Sequence, residues 1–346
     1  MLRKKRKPPV KVGEQKSEIV RKLPKACSDE PSAVAFMEEQ RWGAAPTCAR
    51  CGATNVYQMT SAVDGTRNAR FLWRCHACKK QYTVRVGTIM EDSPIPVRHW
   101  CYAFWAACSS KKGVSAKQIQ RVTGLSYKSA LFLMHRIRWA MAPANAMEPP
   151  LSGDVEADET YMGGRPRKPN NPLGTPGRRY NRYGPNRVEL RKKGPAPDFV
   201  DRKTPVFAAV ERGGRVKARV VTDVTPRNLG KVVAEMIDAS ARLYTDEAPV
   251  YERLGKSFAS HRTVNHSAGQ YSDGHGAHTN TIEGFFALLK RGVTGTFHSV
   301  SRKHLHRYVS EFEFRYNARK MEDGERTQRA IQAAVGKRLT GPEQRA

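Results

Sequence analysis

The chain has 346 residues, enough for two or three domains with proper cores, and 61 Lys and Arg against 32 Asp and Glu. The formal net charge is +29 and the pI about 10.1, a surplus that self-repels unless a polyanion neutralises it, so nucleic acid is the expected partner. No long apolar run suits a membrane-spanning helix, and the basic stretch Arg3-Lys4-Lys5-Arg6-Lys7 leads into Pro8-Pro9 instead of a signal-peptide core, so a cytoplasmic, nucleoid-associated protein without membrane partners is expected.

Residues 1–28 carry ten Lys and Arg, two Glu and three Pro without apolar periodicity, which predicts a mobile basic arm. A short helix is expected from Ser32 to Trp42. Cys48-Ala49-Arg50-Cys51 and Cys75-His76-Ala77-Cys78 are then separated by 23 residues. Each C-x2-C places two thiolates on one tight knuckle, and two knuckles complete the four-sulfur shell that structural Zn2+ favours. Strands are predicted at Phe71–Arg74 and Gln81–Val86, giving a zinc ribbon within residues 29–95. His76 is left out of the shell because four cysteines already close it.

From 96 to 142 the pattern turns helical. Trp100, Phe104 and Cys108 share a face, and Cys101 and Cys108 read as core thiols. Val114–Ile119, the turn Thr123-Gly124-Leu125-Ser126 and the helix Tyr127–Met141 have helix-turn-helix spacing, with Lys128, His135, Arg136 and Arg138 as a basic DNA-facing side. Three prolines between Pro143 and Ser152 mark a boundary. A domain spanning 150–320 follows, interrupted by a basic loop at 164–203 with twelve Lys and Arg and seven Pro. Its expected order is a strand over Asp154–Tyr161, a hairpin turning at Gly213-Gly214, a helix from Pro226, a strand Leu243–Asp246, a helix, a strand Arg262–His266 and a helix Asn280–Lys290. A last long helix carries Leu305, Tyr308, Val309, Phe312 and Tyr316 on one face, and residues 321–346 are expected to be a tail. Ile282, Phe285, Phe286 and Leu289 make the 280s helix amphipathic. Glu283 and Lys290 lie two turns apart beside that stripe. The spacing of Asn280 and Glu283 also suits a capping box, in which the Glu serves only its own helix.

This order of elements resembles the RNase H-like catalytic domain of DDE transposases, and behind a zinc ribbon and helical region it is most similar to the ISXO-like group of bacterial insertion-sequence transposases. The resemblance covers residues from about 32 to 320. It rests on the four cysteines, Val84-Arg85-Val86-Gly87-Thr88, Trp100, Ala157–Gly164, Tyr244-Thr245-Asp246-Glu247, His278–Phe285, Leu288-Leu289-Lys290-Arg291-Gly292 and Phe314-Arg315-Tyr316-Asn317. It implies an α/β multidomain protein with a mixed sheet flanked by helices. It also implies that Asp158, Asp246 and Glu283 bind catalytic Mg2+ or Mn2+, with Lys290 contacting a DNA phosphate. Glu156 and Glu159 neighbour Asp158, but strand alternation sends Glu159 to the opposite face. Asn280 is the alternative third metal ligand, with Glu283 as its support. His266, His275 and His278 are expected to be loop or phosphate-contact residues.

The implied partners are double-stranded element ends and target DNA, bound by a homo-oligomer that assembles on DNA. The implied reaction is metal-dependent cleavage followed by strand transfer. A non-catalytic zinc-ribbon regulator, or a domesticated nuclease without joining activity, would share the ribbon and the charge. A regulator would not need three spaced acids on a strongly basic chain.

Overall fold

The computed structural model describes residues 18–143, 148–163, 203–264 and 278–338. The expectations for the far N-terminal arm, for nearly all of the basic loop, and for His266 and His275 lie outside the described residues. The chain divides into two compact units.

The first unit combines residues up to Ser110 with Gln120–Ala140 and Met321–Arg338. It begins with helices α1 (Glu18–Ser28) and α2 (Glu30–Trp42). Helix α1 occupies the end of the stretch read as an arm. Ile19, Leu23 and Ala26 recur at helical spacing and are buried, a stripe that the surrounding charges mask in the sequence. Asp29 starts α2 by accepting from the Ser32 amide at 2.8 Å.

The ribbon is a three-stranded antiparallel sheet of β1 (Val56–Gln58), β2 (Trp73–Cys75) and β3 (Gln81–Tyr82). β3 is shorter than expected because residues 84–87 leave the ladder in turns. Trp42 of α2 packs edge-on against Trp73 and Tyr82, and Glu38 accepts from the Trp73 indole at 2.7 Å, so α2 belongs to the ribbon's small core.

Helices α3 (Val97–Ser109), α4 (Ala116–Thr123) and α5 (Tyr127–Met141) follow, with Gly124 at φ +73° making the turn between the last two. Cys101 and Cys108 are buried on α3 as expected. The basic face predicted for α5 is not formed. Lys128 is exposed, but His135, Arg136 and Arg138 are buried. Arg136 Nη1 donates to the carbonyls of Ile89 (2.6 Å) and Glu91 (2.8 Å), so its charge is spent on satisfying loop carbonyls inside the unit. The predicted C-terminal tail is also corrected: helix α10 (Asp323–Gln332) packs against α2 and α3, with a capping box formed by Glu322 and Glu325.

The second unit is organised by a five-stranded sheet. Its strands are β4 (Asp154–Met162), β5 (Thr204–Glu211), β6 (Val216–Val220), β7 (Arg242–Asp246) and β8 (Ser260–Val264), in the order β6-β5-β4-β7-β8. β4, β5 and β6 form an antiparallel meander, while β7 and β8 run parallel to β4. This is an RNase H-like mixed sheet.

Helices α6 (Pro226–Met236) and α7 (Pro249–Gly255) cover one face, where Val155, Ala157, Phe207, Ala209, Leu229, Val233 and Tyr251 pack. Helices α8 (Asn280–Gly292) and α9 (Leu305–Asn317) cover the other, where Ile282, Phe285, Phe286 and Leu289 meet Met162, Val206, Ala208 and Val210. β6 is an edge strand whose outward amides need partners. Two residues one turn apart on α9 supply them. Asn317 accepts from the Val216 amide (2.8 Å) and donates to its carbonyl (2.9 Å), and Glu313 accepts from the Ala218 amide (3.2 Å).

Candidate active site

β4 is the central strand, with a side-chain period of two that assigns alternate residues to opposite faces. Val155 and Ala157 point to the α6 and α7 side, whereas Met162 points to the α8 side. Glu156 and Asp158 share parity with Met162. The parallel register pairs Asp154 with Arg242 and Glu156 with Tyr244, so carrying it two residues further sets Asp158 level with Asp246 at the end of β7. Asp246 there accepts from the Ala248 amide at 3.1 Å.

The third acid arrives on α8. Its apolar stripe is driven into the sheet, which leaves Glu283, one residue past buried Ile282, on the exposed side of the first turn. Burial, and then the charges of Glu159, Asp246 and Glu283, push the Asp158 carboxyl up to about 7. The Glu159 amide, donating to Asp158 at 2.7 Å, only partly opposes them. Asp158 therefore lies within reach of the charges of both Asp246 and Glu283. Asn280 and Lys290 are both exposed on α8, at its first residue and in its last turn.

Glu159 lies on the opposite face, as alternation requires, and accepts from the Tyr251 hydroxyl. Burial raises its carboxyl; the Tyr251 bond lowers it and the Asp246 charge adds to the rise.

The capping-box alternative for Glu283 is not what forms. The Glu283 carboxylate meets the Thr279 hydroxyl at 3.3 Å, while the helix amides of Thr281 and Ile282 donate to Glu156 at 2.8 and 3.1 Å. Glu156 is fully buried and also accepts from Arg212 Nε at 2.8 Å and from the Thr281 hydroxyl at 3.0 Å. In the sequence Glu156 stands out only as a neighbour of Asp158. The available signal was a carboxylate at a core-facing parity of a central strand, which must find donors to be tolerated there.

Four cysteines converge in the first unit. Their Sγ atoms all lie within 4.8 Å of one another, with Cys48 to Cys78 and Cys51 to Cys75 both at 3.7 Å. A tetrahedral shell with Zn–S bonds of about 2.3 Å requires sulfurs about 3.8 Å apart, so the four thiols fit structural zinc. The knuckle amides of Arg50 and Cys78 point at Cys48 and Cys75 sulfurs, at 3.4 and 3.5 Å. His76 takes no part; its ring packs on exposed Tyr57 at 4.8 Å. The three carboxylates are spaced more openly: among the described residues the four cysteines are the group of ligand atoms this close together. All three still offer the hard oxygen donors that suit Mg2+ or Mn2+.

Comparison with known proteins agrees with this architecture. Residues 150–317 match the ISXO2-like transposase domain and residues 28–81 the transposase zinc-ribbon domain. The chain is 25% identical over 289 residues to an uncharacterized protein in transposable element ISH50 of Halobacterium salinarum, covering 83% of this chain and 90% of that one. It is 29% identical over 103 residues to an uncharacterized transposase-like protein of Haemophilus influenzae, covering 30% of this chain and 81% of that protein. No helix among the described residues is long and apolar enough to cross a membrane. With a four-cysteine ribbon ahead of an RNase H-like sheet, and both segments matched by their family models, the chain belongs to the ISXO2-like transposases.

Proposed function

We propose that this transposase binds the ends of its element and catalyses divalent-metal-dependent DNA cleavage and strand transfer, with Asp158, Asp246 and Glu283 as the cation-binding carboxylates. The observation that carries this reading is the register that sets Asp158 level with Asp246 on adjacent parallel strands, with Glu283 in the first turn of the helix packed on the same face, on a chain of net charge +29. Acids so placed oppose DNA binding unless they hold cations. Mg2+ or Mn2+ bound there supplies charge to the attacking and leaving oxygens of an in-line displacement.

The chain's own part is positioning. Asp158 and Asp246 are held by adjacent parallel strands, and Glu283 by a helix packed on the same face. In the first reaction a water oxygen attacks phosphorus at the element's end; the bond to the 3′ oxygen breaks and a 3′-hydroxyl is released. In the second, that hydroxyl attacks a target phosphodiester, joining element to target and releasing a new 3′-hydroxyl. Lys290, exposed two turns beyond Glu283, meets a backbone phosphate as a point charge in this reading. The zinc ribbon and helical segments contribute end binding through Lys and Arg contacts, in a homo-oligomer assembled on DNA in the cytoplasm.

The test is nicking and joining of a labelled end-bearing duplex with Mg2+ or Mn2+, with DNA binding measured in parallel. Asp158→Asn, Asp246→Asn and Glu283→Gln should each abolish chemistry and retain binding. Asn280→Ala should be mild if Glu283 is the third ligand, and as damaging as Asp158→Asn if Asn280 is. Undiminished cleavage by Asp246→Asn would refute the assignment and leave a DNA-binding protein.

A further inference from the structure

We propose that Glu156 and Arg212 are positioning residues of the catalytic centre, clamping the first turn of α8 to the sheet so that Glu283 faces Asp158. The inference rests on the reading of Asp158, Asp246 and Glu283 as the cation-binding acids.

A helix leaves its first amides without intrahelical partners, and the residue ahead of it ordinarily caps them. In α8 the N-cap residue Thr279 makes no side-chain cap bond. The cap comes instead from more than a hundred residues away: Glu156 on β4 accepts from the Thr281 and Ile282 amides and from the Thr281 hydroxyl. A carboxylate at the positive end of the helix dipole strengthens those bonds.

Arg212, in the turn after β5, completes the clamp. Its Nε donates to Glu156 at 2.8 Å and its Nη2 to the His278 carbonyl at 2.9 Å. The guanidinium also lies 4.0 Å over the ring of Tyr244, two residues before Asp246. His278 Nδ1 approaches Glu156 at 3.1 Å, without the alignment of a hydrogen bond.

One ion pair, between fully buried Glu156 and half-buried Arg212, thus touches all three elements that carry the acids. It joins β4 two residues before Asp158, β7 two residues before Asp246, and α8 one residue before Glu283. A local cap would satisfy the same amides without tying the first turn of the helix to the sheet. The distant cap ties its register to β4.

The experiment uses the full-length protein and the variants Glu156→Gln and Arg212→Lys. Gln keeps the volume but loses the charge and one acceptor; Lys keeps the charge but cannot bridge Glu156 and His278 as a fork does. Four measurements are compared: single-turnover nicking against Mn2+ concentration, the Mn2+-induced rise in melting temperature, binding to an end-bearing duplex, and hydrogen exchange across residues 278–286. Groups that orient metal-binding residues typically change metal affinity or activity by roughly 10–100-fold when altered. Glu156→Gln should therefore nick at least about tenfold more slowly, require more Mn2+ for both Mn2+ responses, and exchange faster at Thr281 and Ile282, while binding DNA as the wild type does.

Wild-type nicking, Mn2+ dependence and exchange in Glu156→Gln would overturn the proposal. So would a loss of nicking matched by an equal loss of DNA binding at unchanged Mn2+ dependence, which marks a purely structural role. If Glu156→Gln does not fold, Arg212→Lys decides by the same readouts, with a smaller shift of the same sign expected. An Asp246→Asn control separates the two levels: full nicking by that control sinks the carboxylate reading, whereas the exchange data judge the clamp by themselves.

Discussion

Glu313 on α9 offers a quantitative test of how the edge of the catalytic sheet is held. Its side chain is buried against β6 and accepts from the Ala218 amide. Burial pushes its carboxyl up from 4.5 to about 8, aided by the charge of Glu148; the Ala218 bond and the cations Lys217 and Arg219 only partly offset this. Because the folded value lies above the unfolded one, the proton on Glu313 stabilises the fold. That contribution is complete below about pH 4.5 and is lost as the pH rises through about 8.

Each unit of displacement corresponds to about 1.4 kcal/mol, so the loss at alkaline pH is on the order of a few kcal/mol. Glu313→Gln keeps an acceptor for the Ala218 amide and removes the ionisation. The variant should match or fall slightly below the wild type near pH 5 and exceed it by a few kcal/mol near pH 9. Urea unfolding of zinc-loaded protein by circular dichroism, repeated across that range, measures the difference. Parallel stability profiles for the two proteins would refute the reasoning, because they would mean that Glu313 ionises at no cost in the fold.

Two more outcomes follow from the packing. Chelation should unfold the ribbon, since four thiolates released from a tetrahedral shell leave a three-stranded sheet with a very small core; Cys75→Ser/Cys78→Ser should lose one equivalent of zinc by metal analysis, and full retention would sink the site. Gly292 ends α8 where a Cβ would come within 2.0 Å of the Phe312 ring, so Gly292→Ala should destabilise the second unit by about 1–3 kcal/mol despite better helix propensity; an unchanged melting temperature would show that the α8–α9 contact is looser than described.

Local chemistry made much of this molecule legible. The C-x2-C pairs have a spacing with few other uses, and the four sulfurs meet at zinc-shell distances. Apolar periodicity locates α8 and α9, and alternation along β4 assigns Asp158 and Glu159 to opposite faces. Composition alone pointed to nucleic acid.

The basic residues of α5 and the apolar stripe of α1 are hidden in the sequence for one physical reason. Lys and Arg look solvated in a sequence, yet a long stem can carry its charge inward to buried acceptors. His135, Arg136 and Arg138 therefore read as a DNA-facing side although they are core residues, and Ile19, Leu23 and Ala26 are masked by charges in helix α1. α10 was read as tail because nothing local reveals that a helix returns to pack on α2 and α3.

Pairing between distant residues is where sequence reasoning ends. Asn280 and Glu283 have the spacing of a local cap, and only the tertiary structure hands that task to Glu156, leaving the Glu283 carboxylate on the exposed side of the first turn. A sequence determines which groups must be satisfied, through the donors and acceptors that it buries. Which partner satisfies them is decided when the sheet register brings β4, β7 and the first turn of α8 together.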